Sequence, residues 1–249
     1  MRREAARALI EFERVPAIDS RSLTPEQLGQ CSEEMYDGAR RRLVPGDVAC
    51  FLSHQRLWQQ LATQPDPYTA IFEDDIRIGE GLAELLANPS WIPADADLVK
   101  IETTLRPTTI DKTASGTAGT RRVHRLRGWH AGTAGYIATP RGAAQLAAHS
   151  KIIRSPVDLY IYGTTPDSPE LVIYQLVPGI CVQAQYDENA DPTLVSLVAG
   201  SRKEAQPKRS AVAKIAREIY RPLERLGRST TRIVSNAFGA TVTNPVPFD

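Results

Sequence analysis

The sequence has little cysteine and no long apolar run, and each shortage excludes a class of protein. Three cysteines in 249 residues, with no Cys-x-x-Cys pair, argue against a disulfide framework and a structural zinc site, and fit a reducing compartment. No run of 18 apolar residues is present, so we predict no transmembrane helix. The N-terminus lacks the continuous apolar segment of a signal peptide, and we expect a cytoplasmic protein.

Net charge is also small, at +1, which favours neither nucleic acid nor a strongly acidic partner. The charge is uneven, however, because residues 200–249 carry ten Lys/Arg against four Asp/Glu. We predict that residues 193–249 form a charged linker, a basic amphipathic helix at 211–227 and a disordered end. That helix either rests on the inner face of an anionic membrane or packs on its own acidic domain.

Hydrophobic patterning over residues 1–192 predicts one α/β domain with a mainly parallel central sheet. Short apolar segments alternate with amphipathic ones, and 68–72 has no polar face, as expected of a strand covered on both sides. Residues 103–120 are rich in Thr, Gly and Ser and are predicted to be a loop. The predicted strands are 12–20, 68–72, 97–102, 123–127, 133–139, 171–177 and 180–184, and the predicted helices are 3–11, 48–62, 81–87 and 140–149.

Three adjacent carboxylates, Glu73, Asp74 and Asp75, follow the apolar strand YTAIF. Ligands of open parallel sheets bind beyond the carboxyl ends of the strands, where this triplet is expected. Carboxylate oxygens there suit Mg²⁺ or Mn²⁺, which take one or two carboxylates together with substrate phosphates. The alternative is a solvated acidic turn, and the triplet alone does not decide between the two.

Three further segments of the chain could carry chemistry. His54, on helix 48–62, could bind a phosphate or a sugar hydroxyl, although a lone helical histidine is more often structural. Trp129 and His130 precede a small-residue run that includes Thr133, which suits a stacked sugar or simply turns the chain. Asp158 lies among apolar residues after a proline, so it is either a general base or, as the residues alone favour, a helix cap.

An ordered series of motifs resembles glycosyltransferase family 25, the lipopolysaccharide-type β-galactosyltransferases related to procollagen galactosyltransferases. The matching segments are FERVPAIDS, LVPGDVACFLSHQRLW, YTAIFEDDI, DLVKIET, AGTAGYIATPRGAAQL and SPVD, over roughly residues 12–160. The pair PGDVACFLSH and IFEDD carries most of this resemblance. It implies a GT-A-like nucleotide-sugar-binding fold and inverting transfer of a hexose, galactose from UDP-galactose, onto a lipopolysaccharide, lipid-linked or other surface-glycan acceptor.

The resemblance also implies roles for individual residues. The EDD triplet looks like the family's counterpart of an Asp-x-Asp site, with Asp75 and Glu73 holding Mn²⁺ or Mg²⁺. Glu73 and Asp74 are also candidates for contact with the nucleotide sugar. Asp19 would lie near the nucleotide and His54 would line the donor pocket. An inverting transfer needs a base, for which Asp158 and Glu102 are both candidates.

The chain departs from the family pattern at its start. The family opens with a hydrophobic strand followed by Asn-Leu and arginines, whereas MRREAARALI resembles only the helix that follows, so the first strand is expected to be missing. Two rival functions therefore stay open. One is a non-catalytic nucleotide-sugar or glycan-binding remnant of the family, and the other is a metal-dependent phosphohydrolase that uses the EDD carboxylates.

Overall fold

A computed structural model describes residues 2–29, 43–163, 168–187 and 239–249. The helices are α1 (Arg2–Arg7), α2 (Pro25–Gly29), α3 (Pro45–Leu61), α4 (Leu82–Ala87), α5 (Pro140–His149) and α6 (Val157–Tyr162). The strands are β1 (Thr69–Phe72), β2 (Ile76–Ile78), β3 (Leu98–Lys100), β4 (Glu102–Thr103), β5 (Pro107–Asp111), β6 (Gly116–Ala118), β7 (Arg121–Arg127), β8 (Gly135–Ala138), β9 (Ile173–Val177), β10 (Cys181–Gln183) and β11 (Thr241–Pro245). The predicted α/β class is confirmed.

The large sheet has the order β1-β8-β3-β9-β7-β5-β11, with β6 paired to β7. Our prediction of a mainly parallel sheet is wrong for these strands, because β3–β9 is its one parallel pair among the described residues. Parallel neighbours need a long crossover, usually a helix. The chain from β3 to β7 contains no helix, and β5, β6 and β7 pair antiparallel. A second sheet, β2-β10-β4, lies beside the end of β1.

Three local predictions also need correction. Residues 103–120, predicted to be a loop, contain β5 and β6, since β-branched threonines suit a pleated strand. Segment 12–20, predicted to be a strand, pairs with no described strand, and the Ile18 N–H donates instead to the Ser53 hydroxyl at 2.9 Å. The chain end, predicted to be disordered, forms β11 and pairs with β5. The predicted basic helix at 211–227 and the linker before it lie outside the described residues.

Apolar residues cover the large sheet on both faces. One core packs α3, α5 and α6 against it, around Phe51, Trp58 and Tyr160. The other core contains Ile76 and Leu82, from β2 and α4. This explains why β1 lacks a polar face. None of the helices in the described ranges has the length and apolarity needed to cross a membrane.

Helix α3 is the longest helix of the described chain, and it points functional side chains at the sheet. Pro45 occupies its first turn, where a missing N–H costs nothing, and the Asp47 carboxylate accepts from the Val44 N–H at 3.1 Å. Trp58 is fully buried on the sheet side of this helix. His54, one turn earlier, is also buried and reaches the end of β1.

Candidate functional site

The three adjacent carboxylates after β1 have three different environments. The backbone N–H of Glu73 donates to the Ala134 carbonyl at 3.0 Å, which extends the pairing of β1 with β8 by one residue. Its side chain turns inward and is 24% exposed. Asp74 is exposed and Asp75 is half-buried. The triplet is therefore neither a wholly solvated turn nor a set of three converging ligands.

Glu73 is held by donors from three elements. Its Oε1 accepts from the Thr133 hydroxyl at 2.7 Å, and its Oε2 accepts from the Gln183 amide at 2.9 Å. His54 Nε2 lies 3.5 Å from Oε1. Burial acts to raise the pKa of Glu73, but the hydrogen bonds and positive charge around it outweigh burial and lower that pKa. Glu73 is thus an anion fixed in position.

His54 is oriented from its other nitrogen. Its Nδ1 lies 2.9 Å from the Tyr136 hydroxyl, and the Trp58 indole N–H donates to the same hydroxyl at 2.9 Å. Because the hydroxyl accepts from Trp58, its own proton can be donated to Nδ1, which leaves the imidazole proton on Nε2, facing Glu73. The predicted donor-pocket histidine therefore contacts the acidic triplet directly.

Asp75 has a pKa that is raised toward neutrality. Burial raises its pKa to about 6, with repulsion from Glu73 and Asp74 adding to the effect and a 3.4 Å hydrogen bond from Gln183 opposing it. A divalent cation would relieve this repulsion. Asp75 and Glu73 offer the hard carboxylate oxygens that Mg²⁺ and Mn²⁺ prefer, so this donor set fits the ion that the sequence predicts.

Glu102 lies fully buried on β4 and pairs with a fully buried Lys100 on β3. Burial raises the pKa of Glu102 to about 7 against the opposing effect of the lysine. Its Oε2 has no hydrogen-bond partner among the described residues. Lys100 also donates to the Gly132 carbonyl and lies 4.3 Å from the centre of the Tyr162 ring.

Gly132 lies between two carboxylates of the site, those of Glu102 and Asp158. Its φ of +85° is in the left-handed region, and a Cβ there would lie 2.2 Å from Glu102 Oε1. On its other side, the Gly132 N–H donates to Asp158 Oδ2 at 3.3 Å. Thr133, which follows it, holds Glu73. One short loop therefore contacts Glu102, Asp158 and Glu73, which are distant in sequence.

Asp158 lies in the first turn of α6 rather than at its cap, which is Pro156. The interpretation as a helix cap is therefore wrong. Its Oδ1 accepts from the Leu159 N–H at 2.9 Å, and the side chain is half-buried beside Gly132. Asp158 thus offers a carboxylate that solvent reaches, whereas Glu102 is enclosed.

The three predicted sugar contacts occupy different depths. Trp129 is 52% exposed. His130 is 3% exposed, its Nδ1 lies 2.6 Å from the Ala131 carbonyl, and burial and then Lys100 lower its pKa to about 2, so it is neutral. Thr133 is buried and its hydroxyl donates to Glu73. Only the first of the three offers a surface for stacking.

The Asp19 carboxylate makes its hydrogen bonds with Arg21 and not with the carboxylates described above. Its carboxylate binds Arg21 at 2.5 Å and caps the short 3₁₀ turn Ser20–Ser22. That ion pair lowers the pKa of Asp19 to about 2. The described contacts do not join Asp19 to the carboxylates around Gly132, and its predicted contact with a nucleotide stays a prediction.

Sequence reasoning missed Lys100, Gln183 and Tyr136. Lys100 lies between Val99 and Ile101 in the predicted strand 97–102, and Gln183 lies between Val182 and Ala184 in the predicted strand 180–184. A polar residue inside a predicted buried strand signals a buried partner, because an unpaired buried charge or amide is costly. Tyr136 carries no such signal, since tyrosine is common in strands. Its role follows only from the packing of α3 against β8.

Comparison with known proteins supplies independent information. Residues 1–161 match the family described as "Glycosyltransferase family 25 (LPS biosynthesis protein)". The chain is 29% identical over 222 residues to the lacto-N-neotetraose biosynthesis glycosyltransferase LgtB of Neisseria gonorrhoeae, an alignment that covers 78% of this chain and 79% of that protein. It is 32% identical to the lipooligosaccharide biosynthesis protein lex-1 of Haemophilus influenzae, across 70% of this chain and 60% of the relative.

Proposed function

Because the chain belongs to glycosyltransferase family 25, we propose that it transfers a hexose from a nucleotide diphosphate sugar to a hydroxyl of a lipopolysaccharide or lipid-linked glycan. The relatives named for lipooligosaccharide and lacto-N-neotetraose biosynthesis support this acceptor class. Galactose from UDP-galactose is the first donor to test. One observation carries the proposal: the loop that contains Gly132 and Thr133, beside the end of β1, contacts the carboxylates of Glu73, Asp158 and Glu102.

Asp75 and Glu73 would hold the divalent ion, Mn²⁺ or Mg²⁺. The ion would supply positive charge to the diphosphate leaving group. Glu73 is already ordered by Thr133 and Gln183, so this carboxylate needs little rearrangement on binding. Asp74, the exposed residue of the triplet, would contact the nucleotide sugar.

Asp158 is the better of the two candidate bases. A base must reach the acceptor hydroxyl and accept its proton as the hydroxyl attacks the anomeric carbon from the side opposite the leaving group, which inverts the configuration. Asp158 is half-buried next to Gly132, where solvent and substrate can reach it. Glu102 is enclosed and paired with Lys100, so its role is to hold the loop.

Trp129 would bind the acceptor. Its indole is half exposed at the start of the same loop that holds Asp158 and Glu73. Aromatic side chains bury much area with few rotatable bonds, and the C–H faces of a sugar pack well on them. This assigns the acceptor to the open side of the loop and the donor to the acidic triplet.

The direct test is turnover of UDP-sugars by the purified full chain with Mn²⁺ and a lipooligosaccharide acceptor. We expect product with at least one hexose donor and its loss in Asp75→Ala. Asp66→Asn is the matched control, because Asp66 is exposed on the loop before β1 and should leave turnover unchanged. Absence of donor binding and turnover across a panel of UDP-sugars and divalent ions would contradict the proposal.

A further inference from the structure

A second set of potential metal ligands lies on the α3 side of Glu73. Cys50, His54 and Glu73 each offer one ligand atom, and these three atoms lie within 4.8 Å of one another. Cys50 and His54 are four residues apart on α3, so they share one face of the helix. The third ligand comes from the end of β1. Helix and strand thus bring a thiol, an imidazole and a carboxylate to one point.

The spacing suits a tetrahedral ion. With metal–nitrogen and metal–oxygen bonds of about 2.0–2.1 Å, two tetrahedral ligands are about 3.3–3.4 Å apart. His54 Nε2 and Glu73 Oε1 are 3.5 Å apart. Zn²⁺ accepts sulfur, nitrogen and oxygen ligands in this geometry, whereas Mg²⁺ avoids thiolates. The ligand types therefore distinguish this set from the carboxylates of Asp75 and Glu73.

The surrounding hydrogen bonds orient the ligands, as they do in known metal sites. Metal-bound histidines usually engage their other nitrogen in a hydrogen bond, and bound carboxylates are hydrogen-bonded in turn. Here Tyr136 contacts His54 Nδ1, while Thr133 and Gln183 hold the Glu73 carboxylate. This shell keeps Nε2 and Oε1 directed at the common point.

We propose that Cys50, His54 and Glu73 form a three-ligand site for Zn²⁺ or a similar borderline divalent ion, with water in the fourth position. Binding converts the Cys50 thiol to a thiolate and releases its proton to solvent. The imidazole of His54 binds through Nε2 in its other neutral tautomer, in which the proton is on Nδ1 and is donated to the Tyr136 hydroxyl oxygen. The site shares Glu73 with the proposed Mn²⁺ or Mg²⁺ site, but its test does not require transferase activity. The proposal predicts a metal–sulfur bond, which ligation by Asp75 and Glu73 cannot produce.

Cobalt absorbance tests the site. The purified full chain, stripped with a chelator and kept reduced with a phosphine, is titrated with Co²⁺. We expect one equivalent to produce a thiolate-to-cobalt charge-transfer band in the near ultraviolet, which Zn²⁺ then abolishes. Cys50→Ser should eliminate the band, and His54→Asn should weaken Co²⁺ binding. Cys31→Ser, Cys181→Ala and Asp75→Asn are the controls that should retain it.

A measurement on the unaltered protein covers the case in which a variant fails to fold. Zn²⁺ should slow the alkylation of Cys50 by iodoacetamide and leave the rate at Cys31 unchanged. Peptide mass spectrometry measures both rates. No charge-transfer band, a band that persists in Cys50→Ser, or alkylation of Cys50 at the same rate with and without Zn²⁺ would overturn the proposal. None of these readouts depends on donor turnover.

Discussion

At the scale of single residues, the carboxylates around Gly132 differ because their surroundings differ. Glu73 has a lowered pKa since His54 and Thr133 stabilise its charge. Asp75 and Glu102 have raised pKa values, near 6 and 7, since burial dominates at both. A site with one fixed anion and two groups that titrate near neutrality can bind a cation and still respond to pH.

Asp75 should reduce the stability of the protein at neutral pH. Its pKa rises from 3.8 in the unfolded chain to about 6 in the folded one, so its ionisation disfavours folding as pH rises through that interval. Replacing it by Asn should raise the free energy of unfolding above pH 6 by on the order of 1 kcal/mol, after allowance for solvent exposure. The gain should vanish near pH 4. Urea denaturation at both pH values, with Asp66→Asn as control, measures it.

Lys100 should matter chiefly because it compensates Glu102. Lys100→Met leaves a buried carboxylate without its cation, which should cost about 3 kcal/mol of folding free energy at pH 8. The double variant Lys100→Met/Glu102→Gln removes both charges and should recover most of that loss. Urea denaturation of the two variants tests this. A double variant as unstable as the single one would contradict it.

Asp158 and Glu102 should differ in their effects on rate. Asp158→Asn should lower kcat by about 10²–10⁴-fold, the usual contribution of a general base, with little change in donor KM. Glu102→Gln should lower kcat far less, because the enclosed carboxyl does not reach the acceptor. A larger loss in Glu102→Gln than in Asp158→Asn would reverse the assignment.

At the scale of elements, the loop 128–134 determines how the site is joined. It connects β7 to β8, and Lys100, Asp158 and Glu73 each contact one of its residues. These three residues come from β3, α6 and the end of β1, so the conformation of the loop affects how they are arranged. Its conformation depends on Gly132, which combines a positive φ with close approach to Glu102.

Gly132→Ala should be more destabilising than its backbone conformation alone implies. The positive φ costs about 1 kcal/mol for a residue with a side chain, and the new Cβ would also meet the enclosed Glu102 carboxylate. Gly119→Ala is the matched control, because Gly119 has a φ of +60° and open space around its Cβ position. We expect a loss of about 2–3 kcal/mol at Gly132 and about 1 kcal/mol at Gly119. Equal losses in thermal denaturation would show that the contact with Glu102 is unimportant.

At the scale of the whole molecule, β11, near the end of the chain, forms an edge strand of the large sheet. β11 pairs with β5 over five residues, and Thr103 donates its hydroxyl to the Val246 carbonyl at 2.6 Å. Arg121 reaches Asp249 at 3.3 Å. Residues 239–249 therefore belong with the domain of the first 187 residues, although more than fifty residues separate them in sequence.

A substitution at Val246 should show how much the packing of residues 239–249 contributes to the stability of the domain. The side chain is 2% exposed, so Val246→Asp buries an unpaired charge and should cost more than about 2 kcal/mol of folding free energy. Asn244→Asp adds the same charge at an exposed neighbouring position and should have little effect. Thermal denaturation compares the two variants. Similar melting temperatures would mean that β11 is not required for the stability of the domain.

Local patterns in the sequence were sufficient to predict the elements that build the site. The helix at 48–62, the strand at 68–72 and the cap and proline that begin α5 were predicted and are observed. Periodicity, proline and capping residues act within a few positions of one another, so they can be identified without the fold. The acidic triplet and its position after a buried strand were visible for the same reason.

Strand pairing and the environment of each carboxylate were decided only by tertiary structure. The antiparallel neighbours of β8, and the pairing of β11 with β5, join segments far apart in sequence. Likewise, the sequence places Glu73 and Asp75 side by side, but Thr133, Gln183 and His54 make the first a fixed anion while burial makes the second titrate near pH 6. Burial and hydrogen bonding depend on which distant segments come together, and those contacts leave no local pattern in the chain.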